Sequence, residues 1–187
     1  LLNRLLTGPR KTVRGLIIAP TRELAEQINT VIRDLAAHTG IRSVAIYGGV
    51  GISPQIGALH HGVEIVVACP GRLLDHINRR SVNLSHVEFL VLDEADRLFD
   101  MGFLPDIRRI LARLPARQTL LFSATMPDEI RRLTHDILKD PVIVQIAHTT
   151  PLASVAHALY PIAQTLKTTL LMALLNHIDR ESVLIFT

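Results

Sequence analysis

The chain has 187 residues, 48% of them hydrophobic and 20% charged, with a formal net charge of +3 and one cysteine. A single cysteine excludes a disulfide framework and a structural zinc site of several thiolates, and fits a reducing, cytoplasmic setting. The apolar fraction excludes a disordered chain, and no apolar run approaches the roughly 18 residues of a membrane span. Only three of the 20 basic residues are lysines, Lys11, Lys139 and Lys167, but the arginines are interspersed with 17 acids and form no nucleic-acid-binding stripe by composition alone.

Short aliphatic runs alternate with amphipathic stretches of helical length, the pattern of βα units. In chain order the predicted strands are Gly15–Ala19, Ser43–Tyr47, Glu64–Ala68, Phe89–Asp93, Thr119–Ser123 and Val142–Gln145. Most are continuously apolar, which predicts a parallel sheet covered on both faces. Between them Leu24, Ile28, Val31, Ile32 and Leu35 repeat at helical spacing, and Ser53-Pro54 offers an N-cap followed by a first-turn proline. Further helices are expected near Leu73–Arg79, Pro105–Arg113 and Asp128–Leu138. The fold class is α/β: an open, mostly parallel sheet with helices on both faces.

After Val144 the pattern breaks down into a polar, small-residue stretch. We read residues 1–145 as one domain, 146–155 as a linker, and 156–187 as the start of a second α/β unit. That unit would hold an extended run Ala156–Ile162, a helix near Leu166–Asn176 and a strand Val183–Thr187. The chain opens on Leu1 and stops inside a strand-like run, so it reads as an excerpt of a longer protein.

The residues able to carry chemistry stand at predicted strand ends. Val91-Leu92 runs straight into Asp93, Glu94 and Asp96. Ligands of open parallel sheets bind beyond the carboxyl ends of the strands, where a carboxylate leaving an apolar strand can hold Mg²⁺. Asp93 would then hold the metal through its water shell, and Glu94 would polarise an attacking water. The alternative, that these acids cap the next helix, is at least as good for the tetrapeptide alone. Ser123 and Thr125 end another strand and would reach the acids if the two strands are neighbours; otherwise they cap a helix. Thr21-Arg22 and Gly71-Arg72 open helices, and Gly48-Gly49 follows a strand. Each is either an ordinary turn or a phosphate cradle. All five groups fall on one rim of one sheet.

Taken in order, PTRELAEQ (Pro20–Gln27), Gly48-Gly49, PGR (Pro70–Arg72), DEAD (Asp93–Asp96), SAT (Ser123–Thr125) and VLIFT (Val183–Thr187) make the chain strongly resemble the DEAD-box ATP-dependent RNA helicases. The MGF of Met101–Phe103 is similar to that of bacterial members, the RhlE-like branch among them. The resemblance implies two RecA-like domains that close over ATP and Mg²⁺ and clamp single-stranded RNA. This chain would carry an incomplete first domain and the start of the second. Asp93 and Glu94 would serve Mg²⁺ and water activation, and Asp96, Ser123 and Thr125 would couple nucleotide state to domain closure. Pro20, Thr21, Arg22, Gly48, Gly49, Gly71 and Arg72 match positions that touch the RNA sugar-phosphate backbone, a sequence-tolerant mode of binding. Phe186 and Thr187 fall in a second-domain motif that also faces RNA.

The departures from the pattern are as informative. The phosphate-binding loop G-x-x-x-x-G-K-[ST] and the adenine-reading segment are missing, since no Gly-Lys dipeptide occurs among these residues. The later arginine motifs of the second domain are missing too. Cys69 stands where the family commonly has threonine, and we read it as a small buried residue. Without the strand that precedes the phosphate loop, the first sheet is expected to have a gap or an unpaired edge and marginal stability. The expected activity is RNA-stimulated ATP hydrolysis by the intact protein, coupled to local duplex unwinding or remodelling of RNA–protein complexes, with these residues inactive alone. Two other readings stand beside it: a short, non-catalytic RNA-binding module, and a related DNA-directed helicase. The RNA target and any ribosomal or RNA-decay protein partners are not legible.

Overall fold

The computed structural model describes residues 1–145, 156, 158–177 and 182–186. They divide into two compact units, Leu1–Val142 and Ile143–Thr187.

The first unit is built on five parallel strands: β1 (Gly15–Ile18), β2 (Ser43–Ile46), β3 (Ile65–Ala68), β4 (Phe89–Leu92) and β5 (Gln118–Leu121), in the order β2-β3-β1-β4-β5. The ladder is in register across the sheet, with Ile18 beside Ala68 on one side and Leu92 on the other. Alternation along the strands sends successive side chains to opposite faces. Leu16, Ile18, Ile46, Val66, Ala68, Leu90 and Leu92 pack on one face with Leu73 and Leu74 of α4 (Pro70–Asn78), Leu98 of α5 (Ala95–Asp100) and Ile107 and Ile110 of α6 (Leu104–Leu111). Ile17, Ala19, Ile65, Val67 and Phe89 pack on the other with Leu5 of α1 (Leu2–Leu5) and with Ala25, Ile32 and Ala36 of α2 (Arg22–Ala36). Helices therefore cover both faces, which is why β1 and β3 are buried at every position. α3 (Ser53–His60) and α7 (Asp128–Ile137) complete the unit.

Topology positions the site. From β1 the chain crosses to β2 and returns to β3, then crosses beyond β1 to β4 and continues outward to β5. The connections leaving β1 and β4 therefore run in opposite directions, and the switch point between their carboxyl ends is the usual ligand position in such sheets.

Five of the six strands expected in the first domain are present. The sixth, Val142–Gln145, is not a strand. Val142, Ile143 and Val144 are 81–89% exposed and join no ladder, because a β-branched run without a neighbouring strand has nothing to pair with. The expected gap in the sheet is absent: the ladder is continuous, and β5 forms one edge, paired only with β4 among the described residues. Ser53 is the first residue of α3 rather than its cap; Ile52 holds the cap position with no side-chain bond. The short helices α1 and α5 were not expected.

In the second unit a 3₁₀ turn, Gln164–Leu166, leads into α8 (Lys167–His177), close to the expected helix. Ala156 and residues 158–162 form no strand, and residues 182–186 form none either, with Leu184 and Phe186 80% and 89% exposed. Again they pair with no strand among the described residues. The linker expected at 146–155, and Thr187, lie outside the described residues.

The opposite, amino-terminal end of the sheet is pinned by Arg14, which is 4% exposed. It donates to the carbonyls of Leu5 and Thr7 at 3.2 and 2.7 Å and pairs with Glu88 at 2.6 Å. Replacing it leaves two carbonyls and a carboxylate without a partner. We expect Arg14→Met to destabilise the unit by about 2–3 kcal/mol and Glu88→Gln by less than half of that, read as shifts in the urea unfolding midpoint.

Candidate functional site

The acidic turn is built from the exits of two neighbouring strands. Asp93 continues the ladder, its N–H donating to Ile18 C=O at 3.0 Å, and its Oδ1 accepts from the Glu94 N–H at 3.0 Å. Glu94 is left-handed, at φ 46° and ψ 54°, a conformation that costs a non-glycine residue about 1 kcal/mol. It turns the chain sharply enough for α5 to begin at the next residue.

The start of α5 is satisfied from β5. Ala95 N–H donates to Phe122 C=O at 3.0 Å and Asp96 N–H to Ser123 Oγ at 3.1 Å. Ser123 in turn donates to Thr125 C=O at 2.7 Å, while the Thr125 N–H and hydroxyl both donate to Asp96 Oδ2 at 2.8 Å. Of the two uses open to these acids, capping is minor: Asp96 accepts from the Arg97 N–H, but the first two amides of α5 go to the residues after β5. Ser123 and Thr125 do reach the acidic cluster, as they would if β4 and β5 were neighbours. Burial alone would raise the Asp96 pKa, yet the bonds from Thr125, Arg97 and Ser123 prevail and hold it below the ordinary aspartate value. Glu94 forms an exposed ion pair with Arg97 at 3.3 Å.

The other three turns stand side by side after β2, β3 and β1. Pro20 is buried. Thr21 caps α2, its Oγ1 accepting from the Leu24 N–H at 3.3 Å, which leaves its hydroxyl proton free to be donated. Arg22 is exposed, its guanidinium 5.0 Å from the centre of the Tyr47 ring, in cation–π contact. Tyr47 donates its hydroxyl to Glu26. That bond, then burial, raises the Tyr47 pKa, so the phenol stays protonated. Gly48 and Gly49 are exposed, Gly49 at φ 79°. Gly71 occupies the first turn of α4, and Arg72 donates from Nη2 to Val50 C=O at 3.0 Å. A side chain added at Gly48 or Gly71 would meet nothing within 4 Å, and neither has a positive φ, so the fold itself does not call for glycine there. Close approach of an outside partner would.

Cys69 precedes α4 without making a cap bond and is half-buried, less enclosed than the buried residue expected from the sequence. Burial, and secondarily Glu23, push its thiol up to about 11, so it is protonated and inert, in line with a packing role. Phe186 belongs to the second unit, and Thr187 lies outside the described residues. Sequence reading overlooked Tyr47, Glu26, Gln55 and His76, which support the three turns. Only the position of Tyr47 directly before Gly48-Gly49 could have signalled any of them.

The sequence pattern of the DEAD/DEAH box helicase family matches residues 1–133, most of the chain. The chain belongs to that family. It is similar to the ATP-dependent RNA helicase CshA of Listeria monocytogenes, 54% identical over 135 residues that make up 72% of this chain and 26% of that protein. It is also similar to the DEAD-box ATP-dependent RNA helicase 30 of Arabidopsis thaliana, 52% identical over 72% of this chain and 23% of that protein. This DEAD-box chain thus spans about a quarter of the length of the curated relatives it matches. Among solved structures, the yeast DEAD-box splicing factor Prp28 superposes with a TM-score of 0.70 at 31% identity, covering 74% of this chain and 35% of that one. A DEAD box protein from Methanococcus jannaschii gives 0.68 at 42% identity, covering 73% and 38%. The sheet is the RecA-like α/β sheet expected from the motifs.

Because the Asp96 pKa is depressed on folding, its contribution to stability is full above the ordinary aspartate value and is lost as pH falls through the lower folded value. Thr125→Val removes the leading cause of the depression. We expect the Asp96 carboxyl to titrate at higher pH in that variant, followed by carboxyl-carbon NMR, and the acid limb of the stability profile to move up in pH with it.

Proposed function

We propose that this chain is the central part of an ATP-dependent RNA helicase, which hydrolyses ATP with RNA stimulation to open short duplexes or remodel RNA–protein complexes in the cytoplasm. The observation that carries this reading is the division of one rim. Asp93, Glu94, Asp96, Ser123 and Thr125 occupy the ends of β4 and β5, and Thr21-Arg22, Gly48-Gly49 and Gly71-Arg72 occupy the ends of β1, β2 and β3. In this reading residues 1–145 are the first domain, 146–155 the linker and 156–187 the beginning of the second.

The residues present fit one half of a nucleotide site. Among the described residues no group of three or more His, Cys, Asp or Glu side chains is placed to hold a metal. Mg²⁺ at a phosphate site, however, keeps several waters and takes only one or two carboxylates. Asp93 has one oxygen occupied by the Glu94 N–H and, among the described residues, no protein donor on the other. It suits a metal held through water. The gripping half, a glycine-rich loop ending in Gly-Lys, is not among these 187 residues. When bound, ATP·Mg²⁺ would supply the scissile phosphoryl group and neutralise its developing charge. Glu94, partly exposed and with its carboxylate paired to Arg97 at the surface, would orient the attacking water and accept its proton at a carboxylate oxygen. Asp96 would hold the residues after β5 to the start of α5.

On the other half of the rim, Arg22, Arg72, the Thr21 hydroxyl and the open backbone at Gly48, Gly49 and Gly71 would take RNA phosphates and sugars, with Phe186 and Thr187 contributing from the second domain. Such contacts are indifferent to base sequence and weaken with salt.

In the full-length protein containing this chain, RNA should stimulate ATP hydrolysis more than DNA of the same sequence. Glu94→Gln should lower turnover by about 100-fold or more while RNA affinity is kept. Undiminished hydrolysis in Glu94→Gln would remove the assigned role. Equal stimulation by DNA would favour the DNA-directed reading, and RNA binding without any hydrolysis would favour the non-catalytic module.

A further inference from the structure

The turns after β2 and β3 are joined through one buried amide. Gln55 is only 7% exposed although Ser53 and Pro54 beside it face solvent. Its Nε2 donates to Tyr47 C=O at 3.1 Å, and its Oε1 lies 3.2 Å from His76 Nε2 on α4. With the amide donor spent on a carbonyl, its oxygen faces the imidazole, so His76 carries its proton on Nε2, and its Nδ1, 2.8 Å from the Ser81 hydroxyl, shares that group's one proton with the His76 carbonyl at 3.2 Å. His76 is fully buried. Burial, then the charge of Arg72, lowers its pKa and keeps the ring neutral.

A glutamine at the third position of a helix ordinarily turns back to serve its own amino terminus. This one reaches outward in both directions, to the residue before Gly48-Gly49 and to the helix that begins at Pro70-Gly71-Arg72. Arg72 makes a second link between the same two turns through Val50 C=O. An apolar residue of similar length would fill the space without desolvating an amide, so packing alone does not account for a glutamine. The Gln55 amide is bonded on both sides, although Arg72 Nη1 is buried with no partner among the described residues; a buried polar network of this kind fixes geometry as well as filling volume.

We propose that Gln55 is a positioning residue for RNA: by tying Tyr47 to His76 it holds Gly48-Gly49 and Gly71-Arg72 at one fixed spacing, so that successive phosphates meet both turns without either having to be ordered first. This inference rests on the RNA reading of the rim given above. The benefit is preorganisation, which removes an ordering cost from binding rather than adding a contact.

The test uses the full-length protein and a fluorescein-labelled single-stranded RNA, titrated over a salt series. Gln55→Met, Arg72→Ala and the double variant are compared with wild type. We expect Gln55→Met to weaken binding by about tenfold and to flatten the salt dependence by about one phosphate. Arg72→Ala should cost far less in the Gln55→Met background than in wild type, the mark of two residues acting through one arrangement. A role confined to core packing would lower the melting temperature but leave affinity within about twofold, the salt slope unchanged and the two substitutions additive; that result overturns the proposal. If Gln55→Met does not fold, Gln55→Glu gives the same readouts, since it keeps an oxygen facing His76 but sets a second oxygen, and a buried charge, against the Tyr47 carbonyl in place of the donor. Wild-type protein that fails to bind the RNA at low salt overturns the RNA reading and this inference together. Wild-type binding with unaltered Gln55 variants overturns this inference alone.

Discussion

A parallel sheet buried on both faces leaves its strands one outlet for polar chemistry, the rim where they end. Everything else here follows from that constraint. Leu16, Ile18, Val66 and Leu92 face one helical layer and Ile17, Ala19, Ile65 and Val67 the other, so no charged side chain can leave the interior of the central strands without breaking a core. The first position free of it is the residue after the ladder. Asp93, Cys69, Tyr47 and Pro20 stand at or next to that point on their strands, and the chemistry of the chain begins there.

The rim is divided by topology rather than by composition. Because the chain leaves β1 and β4 in opposite directions, the switch point between them separates three turns rich in glycine and arginine from two rich in carboxylates and hydroxyls. Each half is internally bonded: Asp96, Ser123 and Thr125 on one side, Tyr47, Gln55, His76 and Arg72 on the other. Neighbouring halves on one rigid sheet are what a protein needs if an event at a phosphate is to be felt by a bound strand.

The five strands were legible because continuous β-branched and aliphatic runs have few other uses in a chain this polar elsewhere. The same composition misled at Val142–Gln145 and Val183–Phe186. A run of valine and isoleucine records a preference for pairing and says nothing of whether a partner is at hand. The acidic rim was legible from motif order, since Asp93 and Ser123 each end an obvious apolar run, with Glu94 and Thr125 just beyond them. Its support was not. α5 is six residues long and is capped by a hydroxyl 27 positions further on, a relation that no local pattern carries. Gln55 and His76 are 21 residues apart, and only the folded chain, which brings the start of α3 to the buried face of α4, reveals that one is the other's partner.

The left-handed Glu94 turn has a mechanical meaning. A non-glycine residue rests in that conformation only while its surroundings hold it there, and here the hold comes from β5, through the Phe122 carbonyl on Ala95 and the Ser123 hydroxyl on Asp96. The turn is a cocked spring with its catch on the neighbouring strand. Drawing the exit of β5 away would strip the helix of its cap and remove the reason for the strain in one movement. The carboxylate of Glu94 would then be free to point elsewhere, so the aim of one side chain is set by the position of a strand to which it does not belong.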